Sequence, residues 1–339
     1  MKVILSCFVF TAALLLGAET ANNYDPEVFT VVGKARDYTG VLPAGVKTVA
    51  IITPASYPGQ KTLLAGIELL RKAGYKVKVY PNVLRKPADI NKSSYASIPL
   101  ALRIKDFEAA WCDMENDMII CSRGGVGTEN LVDNINWSKL PRRPELYLLG
   151  YSDVTMLVSF MIANGYGHPL AGPTANSLPG LKAAIVPAMK KMLNGEEISI
   201  KLKTLKSGNV SGKVVAGLLS RYTRLVDGKY GFSTKGKIVV IESVKCSSET
   251  VSRDLNTLLE KGFFKGAKAV VFGHFARPVD REQINIVLEN FSRKLDIPVY
   301  RGFPFGHQAD NLVIDFTRDA FIKNDTIIFP NKKVLSHFL

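Results

Sequence analysis

The stretch Lys47-Thr-Val-Ala-Ile-Ile-Thr-Pro54 is a short β-branched run that stops at a proline, as is typical of a buried strand in a parallel sheet. The following segment, 60–73, has apolar residues at helical spacing and is closed by Gly74. Tyr75-Lys-Val-Lys-Val-Tyr80 then alternates as a second strand does. Strand, helix and strand in this order predict a right-handed crossover between parallel strands, and therefore an α/β fold.

The same alternation continues along the chain. In the first half it predicts helices over 102–112 and 154–163, a helix beginning near Glu129, and strands at 118–121 and 147–150. In the second half it predicts strands at 237–241, 269–272, 297–300 and 326–329, and helices near 252–261 and 281–294. We therefore expect an N-terminal parallel-sheet α/β domain over 47–189, a linker over 190–213, and a C-terminal mixed α/β domain over 214–339.

Length and composition exclude several classes of protein. A chain of 339 residues that is 47% hydrophobic and 22% charged is neither a small disulfide scaffold nor a disordered one. Its net charge of +14 favours anionic partners without specifying one. The sequence contains no GxGxxG or Walker A pattern, and its basic clusters lack a nucleic-acid-binding motif, so we expect no nucleic-acid partner and no nucleotide cofactor.

Residues 1–18 combine one early lysine, an unbroken apolar run and small residues at 17 and 18, which is the pattern of a signal peptide. The run is shorter than the roughly 20 residues of a membrane-spanning helix, so we expect an exported, periplasmic or extracellular protein without a permanent membrane anchor. A retained leader is the alternative. Residues 19–46 form an N-terminal extension. The three cysteines beyond the leader match no metal-binding spacing and cannot all pair within one chain.

The segment Ile119-Ile-Cys-Ser-Arg-Gly-Gly-Val-Gly-Thr128-Glu-Asn-Leu-Val-Asp133 runs from a strand through glycines to a hydroxyl residue at a helix start. This is one way in which α/β enzymes present a nucleophile, because glycines permit a tight turn and the helix N-terminus stabilises negative charge. Thr128 is therefore the candidate nucleophile. The alternative is that Thr128 only caps its helix.

Two further residues complete a possible catalytic set. Glu242 follows the strand Ile238-Val-Val-Ile241, and His307 lies in the turn Gly302-Phe-Pro-Phe-Gly-His307. A hydroxyl, an imidazole and a carboxylate together can serve as nucleophile, base and orienting acid. His274, which also follows a strand, is the rival base.

At this point the sequence resembles the LD-carboxypeptidase family of serine peptidases, which includes the muramoyl-tetrapeptide carboxypeptidases and their microcin-immunity relatives. The resemblance covers about residues 45–325 and rests on five segments in the same order. These are Ala50-Ile-Ile-Thr-Pro54, Arg123-Gly-Gly-Val-Gly-Thr128, Leu149-Gly-Tyr-Ser-Asp-Val-Thr155, Ile241-Glu242 and Gly302-Phe-Pro-Phe-Gly-His307. It implies two domains with the active site at their interface, and a homodimer.

The resemblance also implies roles for individual residues. The family's nucleophile, usually serine, falls on Thr128, its acid on Glu242 and its histidine on His307. The backbone N–H groups of Gly125 and Glu129 are the candidates for an oxyanion hole. Arg123 and Asp153 are expected to bind substrate or to support the site from behind, with a helix N-cap as the alternative role for Asp153. No metal or organic cofactor is implied.

We accordingly predict an exported hydrolase that removes a C-terminal D-amino acid, D-alanine, from peptidoglycan stem peptides by acyl transfer. Two alternatives remain open at this stage. One is a catalytically impaired family member that binds muropeptides or other peptides, because threonine carries an extra methyl group that crowds the attack path. The other is an immunity-type amide hydrolase.

Overall fold

The computed structural model describes residues 37–332, which form two sheets with helices packed against them. The strands are β1 (Thr48–Ile52), β2 (Lys76–Val79), β3 (Met118–Cys121), β4 (Tyr147–Gly150), β5 (His168–Ala171), β6 (Ile198–Lys201), β7 (Lys203–Lys206), β8 (Val210–Leu218), β9 (Lys237–Val244), β10 (Ala269–Ala276), β11 (Val299–Arg301), β12 (Ile314–Asp315), β13 (Asp319–Lys323) and β14 (Thr326–Phe329). The helices are α1 (Gln60–Lys72), α2 (Leu100–Cys112), α3 (Thr128–Asn134), α4 (Thr155–Asn164), α5 (Ile185–Leu193), α6 (Leu219–Leu225), α7 (Ser248–Glu260) and α8 (Arg281–Arg293).

The first sheet has the strand order β12-β5-β4-β3-β1-β2, and all its strands except β12 run parallel. Its central strands β1 and β3 are buried at every position, which explains their continuous apolar sequence. After β1 the chain continues to β2 at one edge of the sheet, whereas after β3 it continues through β4 and β5 toward the other edge. In open α/β sheets, ligands bind at the carboxyl ends of the strands next to such a reversal.

The second sheet has the order β6-β14-β13-β8-β9-β10-β11-β7. Its centre, β8 to β11, is parallel, and antiparallel strands extend it on both sides. The prediction of a parallel-sheet domain followed by a mixed α/β domain is therefore confirmed.

The predicted linker over 190–213 is wrong. This stretch contains the end of α5, the strands β6 and β7, and the start of β8. β6 and β7 are the two outermost strands of the second sheet, where lysines exposed along the edge oppose pairing with another chain. Their lysine-rich sequence therefore resembles that of a polar loop, although the backbone of both strands is paired with a neighbouring strand.

The second half of the chain also contributes one strand to the first sheet. After the second sheet has been largely built, the chain returns to add β12 to the first sheet, antiparallel to β5. Buried Asp315 of β12 lies 2.8 Å from both His168 Nε2 and Lys332 Nζ, so this crossing is fixed by charge as well as by backbone pairing. No helix within residues 37–332 is long and apolar enough to span a bilayer. The predicted signal peptide and most of the predicted extension lie outside the described residues.

Candidate active site

Side chains from both halves of the molecule meet at the carboxyl ends of the parallel strands of the two sheets. His307 Nδ1 lies 2.8 Å from Glu242 Oε2, and His307 Nε2 lies 2.9 Å from Ser152 Oγ. Ser152 follows β4 of the first sheet, whereas Glu242 belongs to β9 of the second. The imidazole therefore joins a hydroxyl and a carboxylate across the interface, in the arrangement that activates a serine.

Local backbone geometry presents the Ser152 hydroxyl. Ser152 has a φ of 64°, a left-handed conformation that is uncommon for a residue other than glycine. It is the first residue of the helical turn Ser152–Val154 that joins β4 to α4, as the nucleophile is placed in a strand-turn-helix elbow. Gly124 packs against it so closely that a Cβ on Gly124 would lie 2.8 Å from Ser152 Cβ. Only a glycine at position 124 leaves room for this turn.

Glu242 is fully buried and is approached closely by the turn that carries His307. Gly306 has a φ of 125°, and a Cβ there would lie 2.9 Å from Glu242 Oε2. The glycine thus lets the turn pass over the carboxylate and bring the imidazole into contact with it. Burial, together with the charge of Glu242, raises the pKa of the neighbouring Tyr222 well above its usual value, so this phenol stays protonated.

Thr128 does not occupy the position that the sequence analysis gave it. Its side chain is fully buried at the first residue of α3, and its Oγ1 has no hydrogen-bond partner among the residues that the structure describes. His307 uses Nε2 for Ser152 instead. The prediction that Thr128 is the nucleophile is therefore wrong: burial at the helix start removes its hydroxyl from the cleft.

Asp153 links the two loops that carry these hydroxyl residues. Its Oδ2 accepts a hydrogen bond from the Thr128 backbone N–H at 2.8 Å, and its Oδ1 lies 2.7 Å from Arg221 Nε. The N-cap residue of the following helix α4 is Val154, and no side-chain hydrogen bond caps that helix. Of the two roles predicted for Asp153, the structure shows the support of the neighbouring loop and not the helix cap.

Arg123 lines the cleft, and its Nη1 donates to the carbonyl oxygens of Tyr57 and Ser94, 2.9 and 3.1 Å away. It therefore braces the loop beside the cleft. Gly125 of the same glycine loop also lines the cleft, whereas Glu129 is not among its lining residues. The structure thus brings one of the two predicted oxyanion-hole residues to the serine side of the cleft.

His274, the rival base, is engaged elsewhere. Its Nε2 lies 3.0 Å from Asp310 Oδ1. The contact with His274, assisted by the charges of His274 and Lys182, lowers the pKa of Asp310 to about 2. The pair fixes the segment that follows His307 rather than contacting the serine.

The cleft between the halves has a volume of about 370 Å³ and contains both Ser152 and His307 in its wall. Four cations line it, and none of its lining residues carries a carboxylate: Arg123, Arg221, Lys245 and Arg277. Exposed Tyr95 and Val126 add apolar surface at the wall. The arrangement can bind a small anionic molecule next to an activated hydroxyl.

Two family models match the chain. The LD-carboxypeptidase N-terminal domain matches residues 49–168, and the LD-carboxypeptidase C-terminal domain matches residues 211–320. The chain belongs to the LD-carboxypeptidase family. The matched regions carry the two sheets, and the family resemblance predicted from sequence is confirmed. A carboxypeptidase, and therefore a hydrolase, is the activity that the family supports.

Individual relatives agree in length and fold. A probable murein peptide carboxypeptidase of Bacillus subtilis is 28% identical over 281 residues, covering 79% of this chain and 86% of the relative. The crystal structure of a muramoyltetrapeptide carboxypeptidase from Oxalobacter formigenes superposes with a TM-score of 0.71 at 25% identity, covering 82% of this chain and 97% of that one. The microcin C7 self-immunity protein MccF, in complex with aspartyl sulfamoyl adenosine, has a TM-score of 0.70 at 19% identity, covering 86% of this chain and 98% of that one, which shows a shared fold.

The sequence of this family member contains a signal for the serine in the cleft. Tyr147-Leu-Leu-Gly150 is a strand, a helix follows from Thr155, and Ser152 lies between them in Gly-Tyr-Ser-Asp. A serine between a strand and a helix, preceded two residues earlier by glycine, is typical of a nucleophile elbow. The glycine-rich loop at 124–127 has a similar strand-to-helix pattern that ends at Thr128, and this pattern favours the wrong hydroxyl residue.

Proposed function

We propose that the protein is a serine-type LD-carboxypeptidase with Ser152 as nucleophile, His307 as general base and Glu242 as orienting acid. The observation that carries this proposal is the single imidazole placed 2.9 Å from a serine hydroxyl and 2.8 Å from a buried carboxylate. Members of the family are named as carboxypeptidases of murein peptides, so we assign the same substrate class, with release of a C-terminal D-alanine.

The proposed reaction is acyl transfer to Ser152 followed by hydrolysis. His307 Nε2 takes the hydroxyl proton while Ser152 Oγ attacks the carbonyl carbon before the terminal residue. Glu242 Oε2 accepts the Nδ1–H and stabilises the imidazolium. The imidazolium then protonates the leaving amine as the C–N bond breaks. In the second half of the reaction, His307 Nε2 takes a proton from water, the water oxygen attacks the acyl carbon, and the imidazolium returns the proton to Ser152 Oγ as the ester bond breaks.

Backbone N–H groups stabilise the oxyanion in this proposal. The N–H of Asp153, the residue after the serine, and that of Gly125 are the candidates, because both residues adjoin Ser152 or line its cleft. Loss of one such donor typically costs about 10²–10³-fold in rate.

The wider context of the enzyme remains part of the proposal. The leader pattern in residues 1–18 favours an exported enzyme that meets wall peptides in the periplasm or outside the cell, and the family resemblance implies a homodimer. The alternative of an impaired binding protein depended on threonine as the nucleophile, and the position of Ser152 removes that reason. An immunity-type amide hydrolase would use the same three residues on another leaving group.

The test is D-alanine release from a stem tetrapeptide by the purified chain and its variants. We expect release by the wild type and a loss of at least about 10⁴-fold in kcat for Ser152→Ala and His307→Ala. Thr128→Ala serves as the matched control and should keep turnover. Release that survives Ser152→Ala would contradict the mechanism, and cleavage of an aminoacyl-nucleotide amide without any D-alanine release would favour the immunity-type reaction.

A further inference from the structure

Two cations lie side by side in the cleft wall contributed by the second sheet. Lys245 follows β9 and Arg277 follows the neighbouring β10, and both line the cleft that contains Ser152. The last register pair of these parallel strands is Val244 with Ala276, and the Lys245 N–H donates to the Ala276 carbonyl oxygen at 3.0 Å. Adjacent strands lie about 4.8 Å apart, so the two cationic residues are next neighbours.

Both residues adopt a backbone conformation that their side chains do not favour. Lys245 has a φ of 52° and Arg277 a φ of 46°. Glycine or asparagine would form such turns at lower conformational cost. Two like charges facing each other across neighbouring strands also repel. The turn itself therefore explains neither cation, whereas an anion held between them would offset the repulsion.

The other two cations of the cleft are already engaged with the protein. Arg123 donates to the carbonyl oxygens of Tyr57 and Ser94, and Arg221 forms an ion pair with Asp153. Neither Lys245 nor Arg277 forms an ion pair with a carboxylate in the part of the chain that the structure describes, and both side chains are exposed. They are thus the cleft cations whose charge is available to a ligand.

We propose that Lys245 and Arg277 together hold a carboxylate group of the substrate and so restrict the enzyme to anionic peptides. This inference rests on the proposed function for its substrate class. Lysine and arginine both form charge-assisted hydrogen bonds with carboxylates. The pair lies on the side of the cleft formed by the second sheet, across from the side that carries Ser152. The carboxylate is either the C-terminal one or that of a side chain upstream of the cleaved bond.

Binding to a variant without turnover tests the pair independently of catalysis. In the Ser152→Ala background, calorimetry would compare three ligands: a stem tetrapeptide with diaminopimelate at its third position, its C-terminal amide, and the tetrapeptide amidated at the diaminopimelate carboxylate. Each ligand is measured with Lys245→Met, Arg277→Met and the double variant. Lys268→Met, at the opposite end of β10, is the matched control for loss of one positive charge.

We expect about a tenfold loss of affinity for each single variant and about a hundredfold loss for the double variant, with no change for Lys268→Met. One of the two amidated peptides should bind the unsubstituted cleft weakly and should be insensitive to the two variants, which identifies the carboxylate. Equal affinity for all three peptides, or unchanged affinity in the double variant, would overturn the proposal. If the variants lose carboxylate binding while the wild-type chain releases no D-alanine, the pair stands and the proposed reaction fails.

Discussion

Two loops at the carboxyl ends of neighbouring strands each carry a hydroxyl residue, yet they present it in opposite ways. Thr128 begins α3 after the glycine loop of β3, and its side chain is buried. Ser152 lies two residues after the end of β4, is half-buried in the cleft wall and contacts His307. The backbone decides the difference: the left-handed φ of Ser152 turns its hydroxyl outward, whereas Thr128 already has its place in a helix packed against the core.

The comparison indicates that a glycine-rich loop can support the proposed nucleophile without containing it. Gly124 lacks a side chain and so lets the Ser152 turn pack closely against it. The Thr128 N–H donates a hydrogen bond to the carboxylate of Asp153, the residue after the serine. The loop at 123–128 is therefore a support for the elbow, and its similarity to a nucleophile loop reflects the close backbone approach that both require.

Moving the serine from position 152 to position 128 is expected to have the largest effect on turnover. In the Ser152→Ala background, Thr128→Ser should leave kcat at least about 10⁴-fold below the wild type, because a serine at position 128 remains buried away from His307. The measurement is D-alanine release from the stem tetrapeptide. Recovery to within tenfold of wild-type turnover would show that the glycine loop can supply the nucleophile after all.

A methyl group on the supporting loop tests the packing between the two regions. Gly124→Ala would place its Cβ 2.8 Å from Ser152 Cβ and 3.1 Å from the Tyr151 carbonyl oxygen. Displacing the serine by a fraction of an ångström should lower kcat by about 10- to 100-fold. Gly59→Ala is the control, since Gly59 has a negative φ of −61° and its nearest neighbour is the small hydroxyl of Thr62. Equal kcat in both variants would mean that Gly124 does not position the serine.

Changes at Thr128 itself should have the smallest effect. Thr128→Val keeps the buried shape and removes a hydroxyl that has no hydrogen-bond partner among residues 37–332, so the free energy of unfolding should stay within about 1 kcal/mol of the wild type or rise. Thr128→Ser should lose about 1 kcal/mol with the buried methyl group. Urea denaturation measures both, and kcat should change less than threefold. A large loss of turnover in Thr128→Val would restore a catalytic role for this hydroxyl.

The fold could be predicted where strands are short and continuously apolar. The predicted segments agree within one or two residues with β1, β3, β4, α1 and α8, because strands buried on both faces and helices buried on one face each leave a clear pattern. The strands β6 and β7 were missed because edge strands are exposed and rich in lysine. β12 was missed because two residues carry no periodic signal, and its pairing with β5 depends on contacts far apart in sequence.

The site could be predicted in part. Glu242 and His307 each follow a strand predicted from the sequence of the second half, and the structure brings them into contact. The local sequence does not decide whether Ser152 or Thr128 is the hydroxyl residue of the site, because both follow a strand and lie at the start of a helical segment. The deciding quantities are the φ of one residue and the burial of the other, and these depend on how the turns pack together in three dimensions.

The segment from 302 to 313 connects β11 of the second sheet with β12 of the first, and His307 lies near its middle. The imidazole therefore belongs to a connecting segment whose two ends continue into strands of different sheets. A hinge-like movement of one sheet relative to the other would therefore move His307 away from Ser152 and break the contact between them.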